Sequence, residues 1–375
     1  MSTLTAEFAR KKALVDLLED IEEAFRRYIV VGNSEFVTLT LYVAHTHCIE
    51  LSGEDAVGRY PYHSPYLRIT SAVKRSGKTR TLELLSLLVA RPWFCSLTTT
   101  AALVRRIQSE QTTVLLDETD RAFSQDGDYA TKLTAILNAG YTRNGSVWMC
   151  EGQGSNQQAK EWKVFSPKVF SGIGHEHLPD TLLDRSIPIA MKRKVNERVE
   201  KFHELEAMRQ LRPLQERCEE LAPRLIPVLK DARPQPAPDL NDRAEDIWTP
   251  LLALADAAGD DWPVLARQAA TELSGEASHP DRDDSVLLLK DIRSFWPDGE
   301  TFFSTAELLR HLNGSDEQRW PTFCHGREMT PHALSRVLKE FDIKPRHSPN
   351  GQFRGYLRAD FQDAFIRHNV LEESV

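Results

Sequence analysis

Cysteine is scarce in this chain: Cys48, Cys95, Cys150, Cys218 and Cys324 are scattered through 375 residues, with no C-x-x-C pair and no regular spacing. That excludes a disulfide framework and a cysteine zinc site, and a reducing cytoplasm is expected. No run approaches the roughly 20 apolar residues that a membrane span needs. The charged, amphipathic start MSTLTAEFARKKALVDLLED lacks the apolar centre of a secretory signal, so no membrane partner is expected. Net positive charge is lacking as well: 47 Lys and Arg face 55 Asp and Glu, a formal charge of −8. Bulk attraction to nucleic acid is thereby excluded, and only local basic patches could serve such a role. Low-complexity tracts are absent, and 41% hydrophobic with 27% charged residues describes a chain that folds. Its length exceeds what one core usually organises, so two to four packed units are expected.

Residues 5–29 carry Phe8, Leu14, Leu17, Leu18, Ile21 and Phe25 at helical spacing, the pattern of a helix lying on a core. EFVTLTLYVAHTHCIEL follows; its β-branched residues leave helix and strand open, and its length favours helix. Residues 58–65 are turn-rich. From Tyr66, short apolar runs (YLRITSA, FCSLTT, TTVLLDE, SPKVFSGI, RSIPIAM) alternate with helical patterns (TRTLELLSLLVA, AALVRRIQ, YATKLTAILNA). This alternation predicts an α/β fold with a mostly parallel sheet covered on both faces. Two further runs, SVWMCE at 146–151 and EWKVF at 161–165, flank a polar stretch and read as a hairpin with a long tip. After Lys194 the pattern turns helical, broken by ARPQPAPD and then by SGEASHPDRDD. The tail reads helix, helix, helix and a β-like GQFRGYLR, an order resembling a winged helix. The expected organisation is an N-terminal helical region (1–60), an α/β core (61–194), a helical lid (195–283) and a winged-helix domain (284–375).

The stretch SAVKRSGKTRTLELL follows the first strand and opens a helix. It fits G-x-x-x-x-G-K-[ST] with Ala72 in place of the first glycine, a position where a small residue can be accommodated. Such a loop turns its backbone N–H groups toward phosphate, so Ala72, Lys74, Arg75, Ser76, Gly77, Lys78, Thr79 and Arg80 are the expected ATP-binding residues. Lys78 supplies charge, Thr79 a ligand for Mg2+, and Gly77 the close backbone approach. TTVLLDETD then ends an apolar strand in Asp117 and Glu118, where the first carboxylate can hold the metal and the second can activate water. Ser171, ending a later strand, is a candidate polar sensor beside that water. His45, His47 and Cys48 in AHTHC have metal-ligand chemistry, but a helix sends positions two apart to different sides and no fourth ligand is nearby. His175 and His177 read as exposed loop residues.

YLRITSAVKRSGKTRTLELL, VLLDETD, ILNAGYTRNG, PKVFSGIG, LPDTLLDRSIPI and DRAEDIWTPLLALADAAGDDWP together resemble a domain family of phage, plasmid and integrated-element replication proteins. The resemblance runs from about residue 36 to the C-terminus, and the order and spacing of its motifs are specific. It implies an AAA+ P-loop ATPase akin to superfamily 3 helicases, forming a hexameric ring that moves on or unwinds single-stranded or forked DNA. A primase or another replication protein is the implied partner, although no primase module precedes the ATPase here. Ala72 and the GHEH turn depart from the pattern. Arg185 stands where AAA+ ATPases carry the finger that reaches a neighbour's phosphate, its planar fork suited to charge spread over phosphate oxygens. Arg243, opening a lid helix, is a candidate sensor for its own chain's phosphate, and Arg143 a weaker one. The hairpin would project into the ring channel with Lys160 and Lys163 at and below its tip, giving sequence-independent phosphate contact. In the tail, Arg336, Lys339, Lys344, Arg346, Arg354 and Arg358 outnumber nearby acids and suit DNA contact. The alternatives are an ATP-switched initiator or helicase loader, and a phage-defence or regulatory ATPase.

Overall fold

The amphipathic start forms α1 (Thr3–Tyr28), whose Leu14, Leu17, Leu18, Ile21 and Phe25 line one buried stripe, while Phe8 is exposed. The apolar run after it is α2 (Asn33–His47), buried at every residue from Ser34 to His47. A helix surrounded on all sides has no polar face, which is why its sequence shows no period. The computed structural model describes residues 3–50, 60–70, 77–96, 98–123, 127–151, 158–172, 178–192, 199–238, 240–277, 282–296, 299–314, 320–324, 327–341, 343–348 and 351–367. These fall in two compact units, Met1–Ser278 and His279–Val375.

Strands and helices then alternate: β1 (Tyr66–Thr70), α3 (Lys78–Leu88), β2 (Pro92–Cys95), α4 (Thr100–Glu110), β3 (Thr113–Leu116), α5 (Thr119–Phe123) and α6 (Asp128–Ala139). After the hairpin β4 (Ser146–Glu151) and β5 (Gln158–Lys163) come β6 (Lys168–Ser171), α7 (Asp180–Leu183) and β7 (Ser186–Ala190). Five strands pair in parallel in the order β2-β3-β6-β1-β7, giving an α/β, Rossmann-like core. Phe94, Leu115, Val169, Leu67 and Ile187 lie side by side across all five. β1, β3 and β6 are buried along their whole length, as central strands covered on both faces must be. Pro188 falls in β7, an edge strand, where its missing N–H costs little.

The β1-α3-β2 crossover runs one way along the sheet and every later crossover runs the other. Right-handed connection therefore sends α3 to one face and α4, α6 and α7 to the other. Consistent with this, α3 packs on α8 (Glu204–Asp231), whereas α4 and α7 pack on α6. With α9 (Asp242–Ala258) and α10 (Trp262–Ala277), α8 joins α1 and α2 in one helical layer. The segments read from the sequence as an N-terminal region and a lid thus share a single core, with α2 inside it.

Arg143, considered from the sequence as a phosphate sensor, has a different role. It is buried and its guanidinium donates to the carbonyls of Glu50, Tyr60 and Pro61 at 2.6, 2.5 and 3.1 Å, with the Phe165 ring 4.4 Å away. It fastens the approach to β1 onto the root of the hairpin. Arg143→Ala would strand three carbonyls and is expected to cost about 3 kcal/mol or more of unfolding free energy, measurable by urea titration; an unchanged midpoint would refute this clamp.

In the second unit, α11 (Arg282–Phe295) precedes β8 (Phe302–Ser304), α12 (Thr305–Asn313), α13 (Pro331–Leu338), β9 (Arg346–His347), β10 (Arg354–Leu357) and α14 (Arg358–Arg367). Its three strands are antiparallel in the order β8-β10-β9. Local signals set the helix starts: Ser304 and Glu307 form a capping box on α12, and Thr330 caps α13 ahead of Pro331. Trp296, Leu308, Trp320, Leu334, Tyr356 and Phe361 are buried together in its core.

Candidate functional site

Gly77 caps α3 in the left-handed region, with φ 96° and ψ 9°, a conformation that favours glycine. Lys78 and Thr79 occupy the first turn, Thr79 exposed. The first N–H groups of a helix have no acceptor within it, so this end favours an anion. Ala72, Lys74, Arg75 and Ser76 lie outside the described residues, as do His175 and His177. Arg80 departs from the expected phosphate contact: it pairs with Glu83 at 2.6 Å and lies 3.9 Å from the centroid of the Phe202 ring.

Two strands from β1, β3 ends at Leu116, which pairs with Phe170. The next residues, Asp117 and Ser171, therefore leave the sheet at one level, and Ser171 pairs with Ile69, one residue before β1 stops. At about 4.8 Å between neighbouring strands, the ends of β3 and β1 are about 10 Å apart with Ser171 between them. The chain leaves β1 and β6 toward opposite faces, the topological switch point at which α/β sheets bind ligands.

Hydrogen bonds fix part of this edge. Asp117 Oδ1 accepts the Glu118 N–H at 2.9 Å, and the Asp117 N–H donates to the Cys95 carbonyl at 3.0 Å. Glu118 is exposed and has φ 55°, a left-handed backbone that costs about 1–2 kcal/mol for a residue with a β-carbon. The Thr119 hydroxyl donates to the Ser171 carbonyl at 3.1 Å and ties the exit of β3 to β6. Ser171 Oγ is fully buried and without a hydrogen-bond partner among the described residues, an uncommon state for a buried hydroxyl. One carboxylate and one hydroxyl, Asp117 and Thr79, make a donor set that suits Mg2+, which keeps most of its own waters.

Arg185 lies at the other edge. It precedes Ser186, which pairs with Tyr66 at the start of β1, whereas the crevice lies beyond the Thr70–Ala190 pair. At about 3.3 Å per residue the strand sets Arg185 about 16 Å from its own crevice. Its guanidinium donates to the Thr181 carbonyl and lies 5.7 Å from the Tyr141 ring centroid. The expectation for Arg243 is corrected: it pairs with Asp184 at 2.8 Å, beside Arg185, and so stands at the far edge from the crevice it was expected to sense.

The hairpin's second arm is Gln158–Lys163, not 161–165, so Lys160 belongs to the ladder opposite Met149. Lys160 pairs with Glu151 at 2.8 Å and lies 4.3 Å from the Trp162 ring centroid; Lys163 pairs with Glu161 at 2.8 Å. Arg105 also reaches Glu151 at 3.4 Å, and the hairpin packs along α4 and α6. The lysines stand on opposite faces, each beside an acid. Trp148, 68% exposed at the centre of the solvent face, is what the sequence reading overlooked. Alternation in SVWMCE, with Val147 and Met149 inward, puts that indole outward and could have revealed it.

Of the basic tail residues, Arg336 and Lys339 are exposed on α13 and at its end, Lys344 is exposed before β9, and Arg354 on β10. Arg346 pairs with Asp360 at 3.1 Å. His45 and His47 have protein partners instead of a shared ligand: His45 Nε2 lies 3.0 Å from Ser64 Oγ, and His47 Nε2 2.8 Å from the Leu88 carbonyl. Among the described residues no helix is long and apolar enough to cross a membrane.

The chain is similar to a described family and to a curated relative. Residues 190–368 match a family described as protein of unknown function (DUF3631), a span that begins at the last residue of β7 and takes in α8, α9, α10 and most of the second unit. A protein of Saccharopolyspora erythraea, described as an uncharacterized 28.9 kDa protein in xis 5′ region, is 42% identical over 158 residues, 40% of this chain. The match spans 59% of that relative's length.

Proposed function

We propose that the chain is a Mg2+-dependent ATP hydrolase of the AAA+ type that acts on DNA during replication of a mobile element. The observation that carries this reading is the common level of Asp117 and Ser171 beside the end of β1, with Gly77, Lys78 and Thr79 opening α3 after the same strand. Backbone N–H groups at the start of α3 and the Lys78 ammonium bind the phosphates. Thr79 and Asp117 hold Mg2+, which when bound neutralises charge on the transferring phosphate. Glu118 takes the proton of the attacking water, and the Ser171 hydroxyl orients that water. Arg185 and Arg243, too far from their own crevice, serve the site of a second copy in a ring. The second unit's order, helix–strand–helix–helix–strand–strand, supports a winged helix for DNA or a docking protein. The name of the Saccharopolyspora relative sets it in a xis 5′ region, in keeping with the mobile-element context.

One observation favours a second reading, the ATP-switched initiator or loader: Lys160 and Lys163 are each neutralised by an acid, so the hairpin offers no net charge to a phosphate backbone. ATP turnover by the full chain with and without single-stranded DNA tests both. Mg2+-dependent turnover abolished by Lys78→Ala is expected, and DNA stimulation lost in Trp148→Ala identifies the translocase through base stacking. Turnover indifferent to DNA identifies the switch. No affinity for ATP at millimolar concentration with Mg2+ overturns both.

A further inference from the structure

The second unit contains a groove of about 960 Å³ between α12, the start of α13 and β10. Leu309, Met329, Pro331 and Phe353 give it an apolar floor, and Phe353 is 57% exposed. Arg310 on α12 and Arg354 on β10 both line it, and Glu328 is the one carboxylate in the lining. Arg310 adds to the charge that lowers the Glu307 carboxyl on its own helix, whereas Arg346 on the neighbouring strand is engaged with Asp360. Two guanidiniums beside an apolar trough are complementary to carboxylates beside an apolar anchor.

We propose that this groove docks an acidic, amphipathic peptide segment of a partner protein. Apolar side chains of the segment enter between Leu309, Met329 and Phe353, as in helix-in-groove recognition. Its carboxylates bind Arg310 and Arg354 through paired N–H···O bonds, which fix orientation as well as affinity. Nucleic acid fits the trough less well, because interfaces with DNA are polar and strongly basic. The exposed Arg336 and Lys339, toward the end of α13, do not line it.

The test is calorimetric titration of the full chain with three probes. The first is a synthetic helical peptide with Leu at i, i+4 and i+7 and Glu on its flanks; the second carries Lys for each Glu; the third is a DNA duplex. The acidic peptide is expected to bind in the micromolar range, and the lysine peptide not at all. Arg310→Glu combined with Arg354→Glu should weaken the acidic peptide on the order of 10²-fold, and Phe353→Ala about tenfold. All three side chains are exposed, so the substituted chains should fold, as circular dichroism would verify. No binding of the acidic peptide, equal binding of the lysine peptide, or substitutions that abolish duplex binding and spare the peptide would each overturn the proposal.

Discussion

Glutamine at position 118 is expected to leave ATP bound and to slow its hydrolysis by about 10³-fold, the scale of a positioned general base. The expectation rests on a division of labour at the end of β3. Asp117 is half-buried and oriented by its own hydrogen bonds, as a metal ligand should be, whereas Glu118 is exposed one residue further along. Glutamine keeps the length and the hydrogen-bonding oxygen but cannot accept a proton. Single-turnover hydrolysis and a separate nucleotide titration would read the two effects apart, and an unaltered rate would move the base elsewhere. Glu118→Gly asks the complementary question. A backbone at φ 55° is one glycine adopts freely, so glycine should lose hydrolysis without losing stability. Such strain is retained where function requires it. Marked destabilisation of Glu118→Gly would instead make this side chain a structural prop.

Asp117 and Ser171 are legible in the sequence because each ends a short apolar run, and strand ends are where polar residues emerge from an α/β core. That the two are level is not legible, since register is a pairing between strands remote in the chain. Arg243 shows the same limit in reverse. An arginine opening a helix is easily seen, but nothing local says which edge of the sheet that helix passes, and its Asp184 partner decides the matter. In the hairpin, starting the second arm at 161 instead of 158 takes Lys160 out of the ladder and hides its cross-strand acid, because each step of register reverses the face. The helical layer was concealed for a related reason: α1 and α2 meet α8, α9 and α10 only across the whole intervening sheet domain. The guanidiniums of the second unit's groove are equally non-local, one supplied by α12 and the other by β10.

Mild acid is expected to destabilise the first unit strongly between pH 6.5 and 4.5, a window that reaches the carboxylate range only at its lower end. Burial inside α2 depresses His45 to about 3, with the nearby Arg143 charge adding to it, and His47 to about 4 despite the Leu88 carbonyl. Both are neutral in the folded chain, while the unfolded chain protonates them near 6.5. Folded values lie below unfolded ones, so this stability is fully present above 6.5 and is lost as pH falls toward about 4 and about 3. At pH 4.5 the unfolded chain has gained protons at both positions that the folded chain largely refuses, and His63, also lowered by burial, adds in the same direction. Two pH units at about 1.4 kcal/mol each give roughly 3 kcal/mol per histidine, or about 5 kcal/mol together. Against a typical total of about 5–15 kcal/mol that loss approaches unfolding. Carboxyls such as Glu272, held below the usual range by the Ser34 hydroxyl, begin to add to the loss only near pH 4.5, so the fall between pH 6.5 and 5.5 belongs to the histidines. Denaturant titrations at pH 7.5, 5.5 and 4.5 should show this fall in the wild type and about half of it in His47→Gln, where glutamine can still donate to Leu88. A free energy flat across the window, or a slope unchanged by His47→Gln, would mean that α2 admits the charged rings and is not the sealed centre of the helical layer.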